Sequence, residues 1–187
     1  MIIAFGSTGP NHLSLMEKEK QFAMAKIDAQ DATDVNYGLI NYADIAGVYS
    51  RLGEFTNYDD VKEAIRNMPW AGEGTGLKDA LSKAVSEFKR NGRPDAYKVF
   101  LVFITGAASE SQDGLKQVAR ELLDLNVRIV SVVVGDDAND GQINSIVVGP
   151  KDVVKVKPDE EPKKVGERIE NTIKRGNAVH LLVFPFY

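Results

Sequence analysis

The stretch Val99-Phe100-Leu101-Val102-Phe103-Ile104, followed by Thr105-Gly106-Ala107, decides how this chain folds. Six apolar residues in a row leave no polar position to face water, so both faces of such a strand must be covered. Strands covered on both faces lie at the centre of a parallel sheet that carries helices on each side. The apolar run from Val127 to Val134 repeats the pattern and predicts a second central strand.

Segments with the helical period of about 3.6 residues separate these apolar runs. The clearest of them has its apolar positions at Leu77, Ala80, Leu81, Ala84, Val85 and Phe88. Alternation of strands and helices is typical of βαβ units, which build a mainly parallel sheet.

Two further predicted strands, Val35 to Tyr42 and Ile45 to Leu52, are joined only by Ala43-Asp44. So short a connection requires an antiparallel pair, because parallel strands need a crossover of about a dozen residues or more. We therefore predict the α/β class. The expected architecture is a three-layer αβα sandwich whose mostly parallel central sheet has one antiparallel edge strand.

Composition and charge exclude several classes of function. The chain has 187 residues, which is enough for one α/β domain with a full core. Its net charge of −4 provides no basic field for a phosphate backbone, which disfavours nucleic-acid binding. It has no cysteine, so thiol catalysis, thiolate metal sites and disulfides are excluded. No apolar run approaches the roughly 20 residues that span a bilayer, so we expect no membrane segment.

We predict one domain over residues 1–176, because the sequence shows neither an internal repeat nor a Pro/Ser-rich linker. Residues 177–187 are predicted to be a C-terminal apolar strand or the start of a following module. Within them, His180 to Tyr187 is apolar and aromatic, and Pro185 restricts it to a sheet edge or a strand end. A strand of this kind joins the sheet or pairs with another chain, which would give self-association.

Several segments, taken in chain order, are similar to those of one known family. They are Tyr37 to Tyr42, Phe55 to Ile65, Gly72 to Thr75 with Ala80-Leu81 after it, Lys98 to Thr105 and Val130 to Gly135. In this order the chain resembles the von Willebrand factor type A domain, the module of integrin inserted domains, matrilins and collagen VI. The resemblance covers roughly residues 2–173. It implies a Rossmann-like fold and a non-enzymatic protein-binding module of an extracellular, secreted matrix or adhesion protein, with collagen or another matrix component as the partner.

The residues at the family's metal-ion-dependent adhesion site are changed in this chain. That site uses an Asp-x-Ser-x-Ser loop after the first strand, a Thr from a second loop and an Asp after the fourth strand. By the resemblance, Gly6 stands at the first Asp, Thr8 at the first Ser, Thr75 at the Thr and Gly106 at the second Asp. An alignment shifted by one residue places Phe5, Ser7 and Gly9 in the first loop instead, and the first Asp is absent in both. Mg²⁺ needs about six oxygen ligands, anchored by carboxylates. Thr8 and Thr75, the only retained candidate ligands, are neutral, so we predict no bound Mg²⁺ or Mn²⁺ and no other cofactor.

We predict that this face still binds a ligand, through Ser7, Thr8 and Thr75 with Gly6 and Gly106 beside them. Ligands of open α/β sheets bind at the carboxyl ends of the strands. The first helix is predicted to start just beyond this loop with unpaired N–H groups, which favours an anionic ligand side chain. The two glycines are equally explained as residues that relieve crowding in loops without a ligand.

Two alternatives remain open at this point. One is a structural spacer in a tandem array of such domains, whose strand-end face binds nothing. The other is a Rossmann-like nucleotide-binding or hydrolytic enzyme. Gly6-Ser7-Thr8-Gly9 and Gly72-Glu73-Gly74 complete neither of the glycine-rich phosphate motifs, which disfavours the nucleotide alternative.

Three further features lie near the same face. Trp70 is predicted to pack under the loop that presents Thr75 rather than to anchor a partner. His12 is predicted to be an exposed loop residue rather than a general base. Loop carboxylates such as Glu73 and Glu110 are predicted to be solvated rather than to replace the missing metal ligands.

Overall fold

A computed structural model of the chain describes residues 1–6 and 12–183, with side-chain surroundings described up to Gly176. Within these residues the strands are β1 (Ile2–Phe5), β2 (Gly38–Tyr42), β3 (Ala46–Ser50), β4 (Lys98–Ile104), β5 (Val127–Val134) and β6 (Val153–Val156). They form one sheet in the order β3-β2-β1-β4-β5-β6. All neighbours pair in parallel except β2 and β3, which confirms the predicted antiparallel edge strand.

The helices are α1 (His12–Ala29), α2 (Tyr58–Asn67), α3 (Leu77–Asn91), α4 (Gln112–Asp124), α5 (Asp140–Ile146) and α6 (Pro162–Val183), with a 3-10 turn at Pro150–Asp152. Asn57, Ser111 and Asn139 each precede a helix and accept a hydrogen bond from the backbone N–H three residues later. Such caps satisfy backbone donors that the helix itself leaves unpaired, so they fix where α2, α4 and α5 begin. No helix within the described residues is both long and apolar enough to cross a membrane.

The sheet separates two apolar layers. Helices α3, α4 and α5 pack on one face, and α1, α2 and α6 pack on the other. Alternate residues of β4 point into each layer, with Phe100, Val102 and Ile104 on the first face and Val99, Leu101 and Phe103 on the second. All six are at most 4% exposed, which confirms the three-layer αβα sandwich predicted from this stretch.

The C-terminal segment differs from its prediction. Helix α6 continues to Val183, so residues 177–183 are helical and the predicted strand is wrong there. The physical reason is that a helix satisfies its backbone groups internally, and no proline interrupts the chain between Pro162 and Pro185. Residues 184–187 lie outside the described residues, and the domain limits at residues 1–176 stay a prediction.

Arg128 of β5 ties helix α6 to the sheet. Its Nε donates to Asp152 Oδ1 at 2.9 Å, and its Nη1 donates to the backbone carbonyls of Thr172 and Ile173 at 2.8 and 2.9 Å. Asp152 is 1% exposed, so the ion pair is buried. A Cβ at position 176 would overlap the guanidinium, so Gly176 leaves the room that Arg128 needs.

We expect Arg128→Met to lower the free energy of unfolding by about 3–5 kcal/mol, because Asp152 would stay buried without its cation. Urea unfolding followed by circular dichroism measures the loss. Lys89→Met is the matched control, because it removes the ion pair with Glu121 in which both side chains are about half exposed. The control should lower the free energy of unfolding by less than about 1 kcal/mol. Equal losses in the two variants would contradict a stabilising role of the buried Arg128–Asp152 ion pair.

Candidate ligand-binding site

The loops after β1 and β4 and the loop before α3 meet at the carboxyl ends of the strands. Gly6, Thr75 and Gly106 line one small cavity there, together with Tyr42 and Thr105. Ser7 and Thr8, the other two predicted ligand-binding residues, lie outside the described residues. The cavity measures about 10 Å³, which is close to the space that a single water molecule occupies. Three of the five predicted positions are therefore neighbours, although the sequence separates them widely.

The loop that carries Thr75 is held against the β2–β3 turn. The backbone N–H of Asp44 donates to Glu73 O at 3.2 Å, and that of Gly76 donates to Ala43 O at 2.7 Å. Gly74 has a φ of +113° and lies against the Asp44 carboxylate, so a side chain there would be both strained and overlapping. The glycines of this loop serve its backbone and the close approach to the turn.

The ring of Tyr42 fills the space beside Gly6. A Cβ added at Gly6 would overlap the ring atoms Cζ, Cε1 and Cε2. Tyr42 is 3% exposed, and its hydroxyl donates to the backbone carbonyl of Phe103 at 2.6 Å. Burial raises the pKa of Tyr42 well above its usual 10.0, so the hydroxyl stays a donor. The space beside Gly6 is thus occupied by an aromatic ring that links β2 to the end of β4.

Sequence reasoning missed Tyr42, although a signal for it exists. In the parallel register of β1 and β2, Phe5 pairs with Asn41, so the next residues in the two strands are Gly6 and Tyr42. A large aromatic residue beside a glycine at neighbouring strand ends indicates that the aromatic ring fills the space that the glycine leaves free. The register that makes them neighbours is a property of the assembled sheet.

The nearby acidic side chains bind backbone groups. Glu110 Oε1 accepts a hydrogen bond from the N–H of Lys78 at 3.2 Å, at the start of α3. Asp79 Oδ2 accepts from the N–H of Ala46 at 2.7 Å. Within the described residues, no three His, Asp or Glu side chains are grouped so that they could hold a metal ion. The absence of a bound metal ion stays a prediction.

The rim around the cavity is acidic. Residues 43–45, 69–76, 105–111 and 135–139 contain no Lys or Arg, and their carboxylates are Asp44, Glu73, Glu110, Asp136 and Asp137. None of these five forms an ion pair within the described residues. Because like charges repel an approaching carboxylate, this rim is unfavourable for the anionic ligand expected from the helix N-terminus. A cationic ligand side chain fits the rim better.

Trp70 and His12 are stacked on each other beside the rim. Their ring centroids are 3.9 Å apart with an interplanar angle of 15°. Trp70 packs against the apolar layer under α1 and α2, which confirms that it is a packing residue. The prediction for His12 is wrong, because this residue is half-buried and begins α1 instead of lying in an exposed loop.

A larger cavity, of about 400 Å³, lies at the opposite end of the sheet, near the start of β4. None of the predicted site residues lines it. Its charged side chains are paired with each other: Lys26 lies 3.2 Å from Glu170, and Arg93 lies 2.7 Å from Asp34. Desolvation lowers the pKa of Lys26, whereas the carboxylate of Glu170 opposes that shift. The first pair joins α1 to α6, and the second joins the segment after α3 to the segment before β2, so we assign the cavity walls a structural role.

A sequence model described as the von Willebrand factor type A domain matches residues 6–167, which comprise β2 to β6, α1 to α5 and only the start of α6. The chain belongs to this family. The A-domain resemblance seen in the separate segments is thereby confirmed, and so is the Rossmann-like fold.

Two relatives place this A domain among matrix proteins. It is 30% identical over 139 residues to human (Homo sapiens) matrilin-1, which covers 72% of this chain and 27% of matrilin-1. It is 28% identical over 146 residues to the mouse (Mus musculus) collagen alpha-4(VI) chain, which covers 78% of this chain and 6% of the collagen chain. The chain thus spans about a quarter or less of the length of these relatives. They are secreted matrix proteins, and the chain is an extracellular matrix module.

Among solved structures, the A domain is similar to proximal thread matrix protein 1 from the mussel byssus, in the crystal structure with a zinc-occupied MIDAS motif. The TM-score is 0.76 at 16% identity, over 91% of this chain and 46% of that one. At this identity the likeness concerns the fold alone. The zinc belongs to the mussel protein and says nothing about a metal ion in this chain.

We expect Gly6→Ala to destabilise the domain by about 1–3 kcal/mol, because the added methyl group forces the buried Tyr42 ring to move. Chemical denaturation measures this loss. Gly47→Ala is the matched control, since a Cβ at Gly47 has no atom within 4 Å. The control should change stability by about 0.5 kcal/mol or less. A Gly6→Ala variant as stable as the control would show that the Tyr42 ring does not fill the space beside Gly6.

Stability is also expected to fall as the pH rises above 10.0, the usual tyrosine pKa. Unfolded Tyr42 then loses its proton, whereas the folded hydroxyl, with its raised pKa, keeps it. The stabilisation that comes from the buried Tyr42 hydroxyl is therefore complete below pH 10.0. It is lost as the pH rises towards the pKa of Tyr42 in the folded protein. Urea unfolding of wild type and Tyr42→Phe at neutral and alkaline pH measures it, and the variant should decline less. Identical declines would argue against a buried protonated hydroxyl.

Proposed function

We propose that this A domain is a non-enzymatic module that binds a matrix protein without a metal ion, collagen being the leading candidate. The observation that carries the proposal is the Tyr42 ring at Gly6. An ion-mediated contact needs a carboxylate at this position, and the chain has neither the carboxylate nor the space for it. Binding at this face therefore has to use protein groups directly.

The remaining oxygens near the cavity support metal independence. Thr75 and Thr105 offer neutral hydroxyls, and Thr105 Oγ1 already donates to the Gly6 carbonyl at 3.2 Å. A hard divalent cation needs about six oxygens with carboxylates among them. Among the described residues that line the cavity, two neutral threonine side chains and a space of about 10 Å³ fall short of that requirement in number, charge and room.

The partner chemistry follows from the rim. Five carboxylates without a Lys or Arg favour a partner segment that presents basic side chains. Two large apolar side chains extend the same rim, because Ile45 is 78% and Leu13 is 60% exposed. A partner segment that combines Lys or Arg with apolar residues would form ion pairs with the rim carboxylates and would cover Ile45 and Leu13. The matrilin and collagen relatives support the choice of a matrix protein as its source.

The enzyme alternative finds no support at this face. Phosphate groups would meet carboxylates and no cation, and the glycines of residues 72–76 are explained by the contact with the β2–β3 turn. The Thr105 hydroxyl donates its proton to the backbone carbonyl of Gly6. The spacer alternative is favoured by the same Tyr42 packing, since a filled site also suits a domain that binds nothing.

We expect saturable binding of the domain to an immobilised collagen or other matrix protein that is unchanged by EDTA. Surface plasmon resonance over a panel of matrix proteins, with Mg²⁺ or with EDTA, measures it. Glu73→Lys/Asp137→Lys should weaken binding by about tenfold, since it reverses two rim charges. The double variant Thr8→Val/Thr75→Val should also weaken it, through the lost hydroxyls.

Asp95→Lys/Asp124→Lys is the control for that experiment, because it reverses the same number of charges on exposed residues before β4 and at the end of α4, far from the rim. It should bind as wild type does. Loss of binding in EDTA would refute metal independence. Absence of binding to every matrix protein of the panel would favour the spacer.

A further inference from the structure

Strand β3 leaves one edge of the sheet open. It is the first strand in the sheet order and pairs only with β2. Of five large apolar side chains exposed in the described residues, three lie on this segment: Ile45 at 78%, Val48 at 37% and Tyr49 at 40%. Residues 45–50 contain no charged residue and no proline, which are the usual protections of an edge strand.

The backbone groups of Val48 point towards this open side. The N–H of Ala43 donates to Ile45 O, so these two residues form a hydrogen-bonded pair of the antiparallel ladder. Bonded and non-bonded pairs alternate, which makes Asn41–Gly47 bonded and Ile40–Val48 non-bonded. The N–H and C=O of Val48 are therefore directed away from β2.

Helix α3 covers the edge on both sides of Val48. The Asp79 carboxylate accepts the N–H of Ala46 at 2.7 Å, and the Glu87 carboxylate accepts the N–H of Leu52 at 3.2 Å. Both outward donors are thereby satisfied within the domain. Between them no side chain of the described residues bonds the Val48 backbone, so one short stretch stays available for a strand from another molecule.

The charges at the two ends of this stretch are self-complementary. Asp44 precedes β3 and Arg51 follows it, and both are exposed without an ion pair among the described residues. A twofold axis normal to the sheet that places Val48 opposite Val48 makes two copies antiparallel. Asp44 of each copy then reaches the strand end where Arg51 of the other copy lies. The same contact therefore forms twice.

We propose that two copies of this domain associate through their β3 edges. Reciprocal hydrogen bonds join the two Val48 backbones, two Asp44–Arg51 ion pairs close the ends, and the exposed Ile45 and Tyr49 side chains cover each other across the contact. The inference does not rest on ligand binding at the acidic rim, although Asp44 and Ile45 belong to both surfaces. The contact is short, so the dimer is weak and forms at high protein concentration.

Sedimentation velocity over a range of concentrations tests the proposal. Wild type should show a reversible monomer–dimer equilibrium. Asp44→Arg places Arg beside Arg, and Arg51→Asp places Asp beside Asp, so each variant alone should dimerise at least about tenfold more weakly. An equal mixture of the two variants restores both opposite-charge pairs, and it should form a one-to-one heterodimer about as readily as wild type.

Further variants separate this contact from other surfaces. Val48→Lys should prevent the dimer while circular dichroism reports a folded domain, because a lysine on the edge blocks strand pairing. Arg90→Asp on the exposed side of α3 and Glu73→Lys on the rim should leave the dimer unchanged. A wild type that stays monomeric, or that binds only a strand of another protein, would overturn the proposal. So would a mixture that dimerises no better than the single variants.

Discussion

The central strand β4 has to be covered on both faces, and the chain meets that constraint by alternating strands with helices. Phe100, Val102 and Ile104 bury themselves under α3 to α5, whereas the residues between them face α1, α2 and α6. Parallel strands connected by helices all end at the same side of the sheet. Covering one apolar strand therefore also gathers the loops after β1, β2 and β4. The β2–β3 turn holds the loop before α3 beside them, which brings Gly6, Thr75 and Gly106 to one cavity.

At that cavity a packing interaction replaces what an ion would do in a metal-dependent domain. A cation would join the loop after β1 to the end of β4 through carboxylates. Here Tyr42 fills the space at Gly6 and bonds the Phe103 carbonyl, and Thr105 bonds the Gly6 carbonyl. The two strand ends are held by a buried ring and neutral hydrogen bonds. The charge that remains belongs to the rim, and it is negative throughout, which is the basis of the proposed basic partner.

The two sides of the sheet differ in the contacts that stabilise them. On the far side, Arg128 and Asp152 form a buried ion pair between β5 and the 3-10 turn before β6, and Arg128 bonds the carbonyls of α6. On the β3 side, only two carboxylates of α3 reach the edge, and the residues between them are apolar and exposed. An edge with free backbone groups and matched charges at its ends is suited to another copy of itself.

The sequence by itself determined the layers and the antiparallel hairpin at Ala43-Asp44, because burial periodicity and short connections depend on neighbouring residues. The absence of carboxylates at Gly6 and Gly106 is read directly from the residue types. Pattern failed at the C-terminus, where an apolar run suits a helix as well as a strand, and at His12, whose stacking on Trp70 joins distant segments. Only the tertiary structure decided that Tyr42 lies beside Gly6 and that Val48 faces an open edge. Both facts follow from the register and order of the strands, which are set only when the whole sheet packs.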